Sequence, residues 1–155
     1  MGWLRRNQEG FWWVALIGVL VYLQWPMLKG YYFKWSGAIA PRGSIAWQTD
    51  LATALAESKR VGRPVLLDAG AAWCPPCIAM EHDVWPDVEV ARLVAAGYVP
   101  LKIDVDRSQD VAARYDIATI PAVMLLDSDG TVLRRAGYLP TSGMVRFLTD
   151  ARWSE

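Results

Sequence analysis

Two regimes of hydrophobic patterning divide this chain. Residues 11–28, from Phe11 to Leu28, carry no charge and one amide, Gln24. Eighteen helical residues span about 27 Å, near the apolar thickness of a bilayer. Trp3, Trp12 and Trp13 lie toward one end of this run, and Trp25, Tyr31, Tyr32 and Trp35 toward the other. Such aromatic belts mark a membrane-spanning helix. From residue 47 onward, short helical and strand periods alternate. Asp50 is placed to cap a helix with Leu51, Leu55 and Ala56 on its apolar face and Gly62 as its stop. Residues 64–69 predict a buried strand. A helix then enters from residue 75 and bends before a second helical piece over 87–96. Residues 98–104 predict an interior strand and 107–115 a helix. Residues 122–127 and 131–136 predict a hairpin through Asp127-Ser128-Asp129-Gly130. A last helix covers 141–152, capped by Thr141 or Ser142. This order predicts an α/β fold, a central mixed sheet with helices on both faces.

The first regime admits three explanations. A buried core helix needs a surrounding core, which the extreme N-terminus lacks. A cleaved signal peptide would use Ala38-Ile39-Ala40, but that site lies far past the apolar run and Pro41 follows it. An uncleaved anchor is the favoured expectation. The chain thus divides into a tail (1–10), a transmembrane anchor (11–28), a linker (29–46) rich in glycine and proline, and one globular domain (47–155). Lys29, Lys34 and Arg42 follow the apolar run while Arg5 and Arg6 precede it, so flanking charge does not fix the orientation.

Composition narrows little beyond this. The 16 basic and 16 acidic residues balance, which gives no pull toward nucleic acid. Only two cysteines exist, so their number does not fix the compartment.

Both cysteines stand in Ala71-Ala72-Trp73-Cys74-Pro75-Pro76-Cys77, between the strand at 64–69 and a helix. Zinc wants four ligands, and there is no second pair; His82 is the sole histidine and is expected at the surface. A structural disulfide closing so short a loop contributes little chain entropy. Redox chemistry is favoured by the context. Cys74 at a helix N-terminus meets unpaired N–H groups and the positive end of the dipole, which favour a thiolate. It is expected to be the exposed, nucleophilic thiol, with Cys77 shielded one turn further on and able to resolve a mixed disulfide. Pro75 and Pro76 are tolerated in a first turn.

The wider pattern resembles the thioredoxin superfamily. Asp68 falls six residues before Cys74, where that family keeps a buried acid, and Thr119-Ile120-Pro121 falls where it keeps a cis-proline. Lys102-Ile103-Asp104, Arg114-Tyr115-Asp116-Ile117 and Asp129-Gly130 follow at the family's spacing. Within it, the chain is most similar to the C-terminal domain of transmembrane thiol:disulfide interchange reductases and related membrane-attached proteins. That likeness rests on Ala54-Leu55-Ala56-Glu57, Gly62-Arg63-Pro64-Val65, Met80-Glu81 and Trp85-Pro86-Asp87-Val88-Glu89-Val90. It covers roughly residues 45–150. Ile78 departs from the lysine that many relatives carry.

The resemblance implies a thioredoxin-like domain behind an N-terminal transmembrane helix. It implies a protein-disulfide reductase whose catalytic residues are Cys74, Cys77 and Asp68. Asp68, a costly acid in an apolar strand, relays a proton to or from Cys77. Trp73, Ile120 and Pro121 border the substrate groove, while Glu81 and Lys102 modulate the site. No cofactor or metal is expected beyond the redox-active Cys74–Cys77 disulfide. The implied partners are protein thiols and disulfides and a membrane electron-donor protein. The implied location is the cytoplasmic (inner) membrane, single-pass, with the domain on the periplasmic side. Cytochrome c maturation is one pathway such proteins serve. The rival expectations are a Cu(I) carrier using Cys74, Cys77 and Met80, a thiol oxidant, and a non-catalytic docking module.

Overall fold

The computed structural model describes residues 2–36 and 44–150. In chain order the elements are α1 (Gly2–Leu23), α2 (Trp25–Ser36), α3 (Leu51–Val61), β1 (Val65–Gly70), α4 (Pro75–Asp83), α5 (Val88–Gly97), β2 (Val99–Asp104), α6 (Gln109–Arg114), β3 (Ala122–Leu126), β4 (Val132–Ala136) and α7 (Thr141–Thr149).

The N-terminal region departs from expectation. The apolar run is shared between two helices, divided at Gln24. Pro26, which has no N–H to offer the carbonyl of Tyr22, accounts for the break. Residues 29–36, expected as linker, are helical too. Among the described residues no helix is long and apolar enough to cross a membrane. The reason lies in how the residues are grouped. Arg5, Arg6 and Glu9 share α1 with the apolar segment, and Lys29 and Lys34 share α2 with its end. The large hydrophobic residues between Trp12 and Leu23 are nonetheless 43–78% exposed. The Ala38–Ala40 cleavage candidate, the rest of the expected linker up to residue 43, and residues 151–152 of the last predicted helix lie outside the described residues.

α3 forms where its caps and periodicity place it. The Asp50 carboxylate accepts from the Thr53 N–H at 2.8 Å, and Gly62 closes the helix at φ +67°. Leu51, Ala54 and Ser58 are buried with Leu55 against them, a stripe of i, i+3, i+4, i+7 spacing. Ala56 lies off this stripe and faces out.

The sheet order is β2-β1-β3-β4, with β1 parallel to β2 and antiparallel to β3, and β3 antiparallel to β4. β1 is central, and Val65 through Ala69 are all buried. Side chains alternate across it. Val65, Leu67 and Ala69 join the core under α3 and α6, while Leu66 joins the core under α4, α5 and α7. β2, expected in the interior, lies at the edge; beyond it, among the described residues, only the bridge from Gln48 to Leu101 is formed. Accordingly, its buried residues (Val99, Leu101, Ile103) alternate with half-buried Pro100, Lys102 and Asp104. The hairpin closes at Gly130, whose φ of +86° suits glycine. α7 starts after Pro140 with no side-chain cap. Thr141, expected as that cap, instead donates its hydroxyl to the Asp83 carbonyl at 2.9 Å, tying α7 to the end of α4.

Candidate active site

β1 delivers the chain to Gly70, and a short turn brings Cys74 to the N-cap of α4. Pro75 and Pro76 occupy the first turn, where no carbonyl awaits their missing N–H. Cys74 and Cys77 form a disulfide with a Cα–Cα distance of 5.3 Å. The Cys77 N–H points at Cys74 Sγ from 3.3 Å. The sulfur that would carry negative charge in the reduced protein thus already faces a helix N-terminal donor.

Exposure corrects the expected inequality of the two cysteines. Cys74 is 2% exposed and Cys77 7%. Cys74 packs with Ala71, Cys77, Val105 and Ile120. The following residue, Pro75, is covered by Gly30 of α2, and Lys29 pairs with Asp83 at 2.6 Å. An N-terminal helix seated on α4 was not foreseeable from the motif.

Beneath α4, register places Asp68 of β1 directly beside Lys102 of β2. Asp68 is one of two buried polar or charged residues among those described. The Lys102 ammonium lies 3.7 Å from its carboxylate and also pairs with Glu81. Burial pushes the Asp68 carboxyl up to about 7, the nearby Lys102 charge pulls it down in part, and the Glu81 carboxylate raises it further. The indole of Trp85 faces the same carboxyl, yet its Nε1–H has no acceptor at hydrogen-bond distance among the described residues. Asp68, Cys77, Glu81 and Lys102 line one cavity of about 350 Å³. A carboxyl that exchanges its proton near neutrality thus shares a cavity with the second cysteine.

The Ile120–Pro121 bond is cis. Pro121 is buried, and Ile120, half-buried, packs on the cysteine cluster. Trp73 is 58% exposed and donates its Nε1–H to Asp106 at 2.8 Å. His82, expected at the surface, is half-buried. Met80 is buried with Leu66, Val84 and Trp85 in the core under α4, not in the cysteine cluster, which counts against a Cys74–Cys77–Met80 copper site. Sequence reasoning missed Asp106 and Trp47 as neighbours of the site. Neither stands in a motif, and only the number of tryptophans hints at an aromatic shell. Trp85 stands in one of the motifs that carry the family likeness, but its place facing Asp68 was not read from it.

A redox pair at a strand-to-helix turn, with a titratable acid behind it, defines a thiol:disulfide oxidoreductase of the thioredoxin type. The chain belongs to the thioredoxin-like family, which it matches over residues 46–128. It is 35% identical over 86 residues to thioredoxin C-2 of Corynebacterium nephridii, covering 55% of this chain and 76% of that one. It is also 35% identical over 109 residues to the thiol:disulfide interchange protein DsbD 1 of Pseudomonas aeruginosa. There the match spans 65% of this chain but only 18% of the relative. The solution structure of a thioredoxin from Thermus thermophilus superposes with a TM-score of 0.60 at 26% identity, covering 72% of this chain and 87% of that chain.

Proposed function

We propose that this protein is a membrane-attached protein-disulfide reductase in which Cys74 attacks and Cys77 resolves. The Cys74 thiolate attacks one sulfur of a substrate disulfide. A mixed disulfide forms, and the first substrate thiolate leaves and takes up a proton. Cys77 then transfers its proton to the ionised Asp68 carboxylate and attacks Cys74 Sγ. The Cys74–Cys77 disulfide forms, and the second substrate thiolate departs. Two electrons have passed to the substrate, and a dithiol donor protein restores the pair. Ile120 and Pro121 border the groove in which an extended substrate segment pairs with backbone, and Trp73 forms its exposed rim.

The cavity shared by Cys77 and Asp68 carries this reading. Deprotonating a resolving thiol shielded as Cys77 is needs a base poised near the working pH. The exposed apolar residues of α1 support attachment to a membrane. The likeness to the thiol:disulfide interchange protein DsbD 1 supports exchange with protein disulfides. The site of action proposed is outside the cytoplasm, at the inner membrane, with cytochrome c maturation as one pathway, as the resemblance to transmembrane thiol:disulfide interchange reductases implies.

The test is reduction of a disulfide-bonded peptide by the reduced chain. Cys74→Ser should abolish it. Asp68→Asn keeps the shape and removes the base; it should slow resolution at neutral pH by roughly 10- to 100-fold. Turnover and pH dependence unchanged by Asp68→Asn would sink the proton route, leaving the thiol to lose its proton to water or Glu81.

A further inference from the structure

Lys102 reaches the proton-handling site from a sheet edge, on a flexible four-carbon stem, and is only half-buried. Nothing in an ion pair with Glu81 alone keeps its ammonium near Asp68 rather than in water. One further contact bears on its position. The Lys102 Nζ lies 5.3 Å from the centroid of the Trp47 ring. That ring meets Trp85 edge to face, with centroids 5.1 Å apart and planes at 80°. Trp85 is buried, and its indole faces Asp68.

Backbone geometry fixes Trp47 in this place. Its neighbour Gln48 donates to the Pro100 carbonyl at 2.9 Å and accepts from the Lys102 N–H at 2.9 Å. The segment before α3 is thereby laced to the edge strand beside the residue whose side chain its tryptophan covers. A ring face attracts an ammonium through its quadrupole.

We infer that Trp47 is a positioning residue for the proton transfer, its ring face holding the Lys102 ammonium between Glu81 and Asp68. The inference rests on the proton route proposed above. The charged and titratable groups facing this point are Asp68 on β1, Lys102 and Asp104 on β2, and Glu81 and the reduced Cys77 on α4. Of these, Lys102 is the one cation. Loosening it leaves Asp68 harder to ionise, so resolution should need a higher pH. If Trp47 merely packs on Trp85, its replacement lowers stability and leaves the pH profile in place.

The experiment follows decay of the Cys74 mixed disulfide with a model peptide in the full chain, by acid quench and mass spectrometry, from pH 5 to 9. Trp47→Leu keeps apolar bulk without a ring face and should move the profile up by roughly 0.5 pH unit, the scale of an exposed cation–π contact. Trp47→Phe keeps a ring face and should restore most of the wild-type position. Lys102→Met should shift the profile further the same way, and adding Trp47→Leu to it should shift it no more. An unmoved profile in Trp47→Leu, with Lys102→Met and Asp68→Asn both altered, overturns the inference alone. An equal shift in Trp47→Leu with and without Lys102 also overturns it. A profile unaltered in Asp68→Asn overturns the proton route and this inference with it.

Discussion

Gly30 of α2 is buried directly against the backbone of Pro75, at the first turn of α4. A Cβ on Gly30 would fall 1.8 Å from the Pro75 carbonyl oxygen. No side chain fits there without moving a helix. Pro75 follows Cys74, so the contact bears on the cysteine meant to meet substrate. The flanking Lys29–Asp83 pair is part-exposed and contributes little on its own. Backbone proximity is the main lock.

The first prediction concerns that lock. Gly30→Val should push α2 off α4 at a cost of about 1–3 kcal/mol, the usual range for overpacking. Alkylation of reduced Cys74 should then accelerate by roughly 5- to 150-fold. Lys29→Met, which loosens only the ion pair, should do so by no more than about 5-fold. An unchanged alkylation rate in Gly30→Val means that α2 does not limit access to Cys74.

Trapping separates the roles of the two cysteines. In Cys77→Ser the mixed disulfide on Cys74 has no resolving thiol and should accumulate, visible as partner adducts on non-reducing gels. Cys74→Ser should trap none. Burial does not distinguish the two sulfurs of the disulfide, but the helix N-terminus does, since of the two Cys74 Sγ accepts from a backbone N–H there. Adducts of equal yield on both variants would contradict the assignment.

The proposed attachment to a membrane makes a third prediction. Among the described residues, the apolar surface of α1 between Trp12 and Leu23 has no partner of its own size. The protein should stay with the membrane fraction through an alkaline carbonate wash, and replacing Trp13, Leu16 and Leu20 by serine should release it. Retention of that triple variant would show that another segment holds it.

The globular domain was legible because its signals are local. Asp50 and Gly62 frame α3 by chemistry confined to a few residues, and the two cysteines mark a strand-to-helix turn by spacing alone. Asp68 was legible as an acid in an apolar strand. What escaped depends on pairings between distant segments. Gln48 joins the edge of β2 through a single bridge, so no strand pattern marks Trp47. Thr141 reads as a helix cap by type, but a carbonyl at the end of α4 claims its hydroxyl. The apolar run over 11–28 reads as one helix until Pro26 is weighed against the carbonyl before it. The seating of α2 on α4 rests on a single absent side chain, at Gly30, whose meaning appears only when Pro75 lies beside it.

The last prediction turns the burial of Asp68 into a stability measurement on the oxidised protein. The carboxyl sits near 3.8 in an unfolded chain and is pushed up to about 7 in the fold, chiefly by desolvation. Between these values the folded protein holds a proton that the unfolded chain has released. The contribution of this group is therefore fully present below about pH 4, falls as the pH rises, and is lost once the pH passes about 7. Over that window the loss is on the order of 4 kcal/mol. Lys102 offsets part of the cost of the charged form, and Glu81 adds to it. Asp68→Asn does not titrate, so it should match the wild type in urea near pH 4 and exceed it increasingly toward pH 8. Comparing the two proteins at each pH cancels the other titrating groups, and equal m-values would confirm that both unfold the same surface. A stability difference that stays flat from pH 4 to 8 would mean that Asp68 keeps its ordinary acidity in the fold, with water or Lys102 compensating its burial in full.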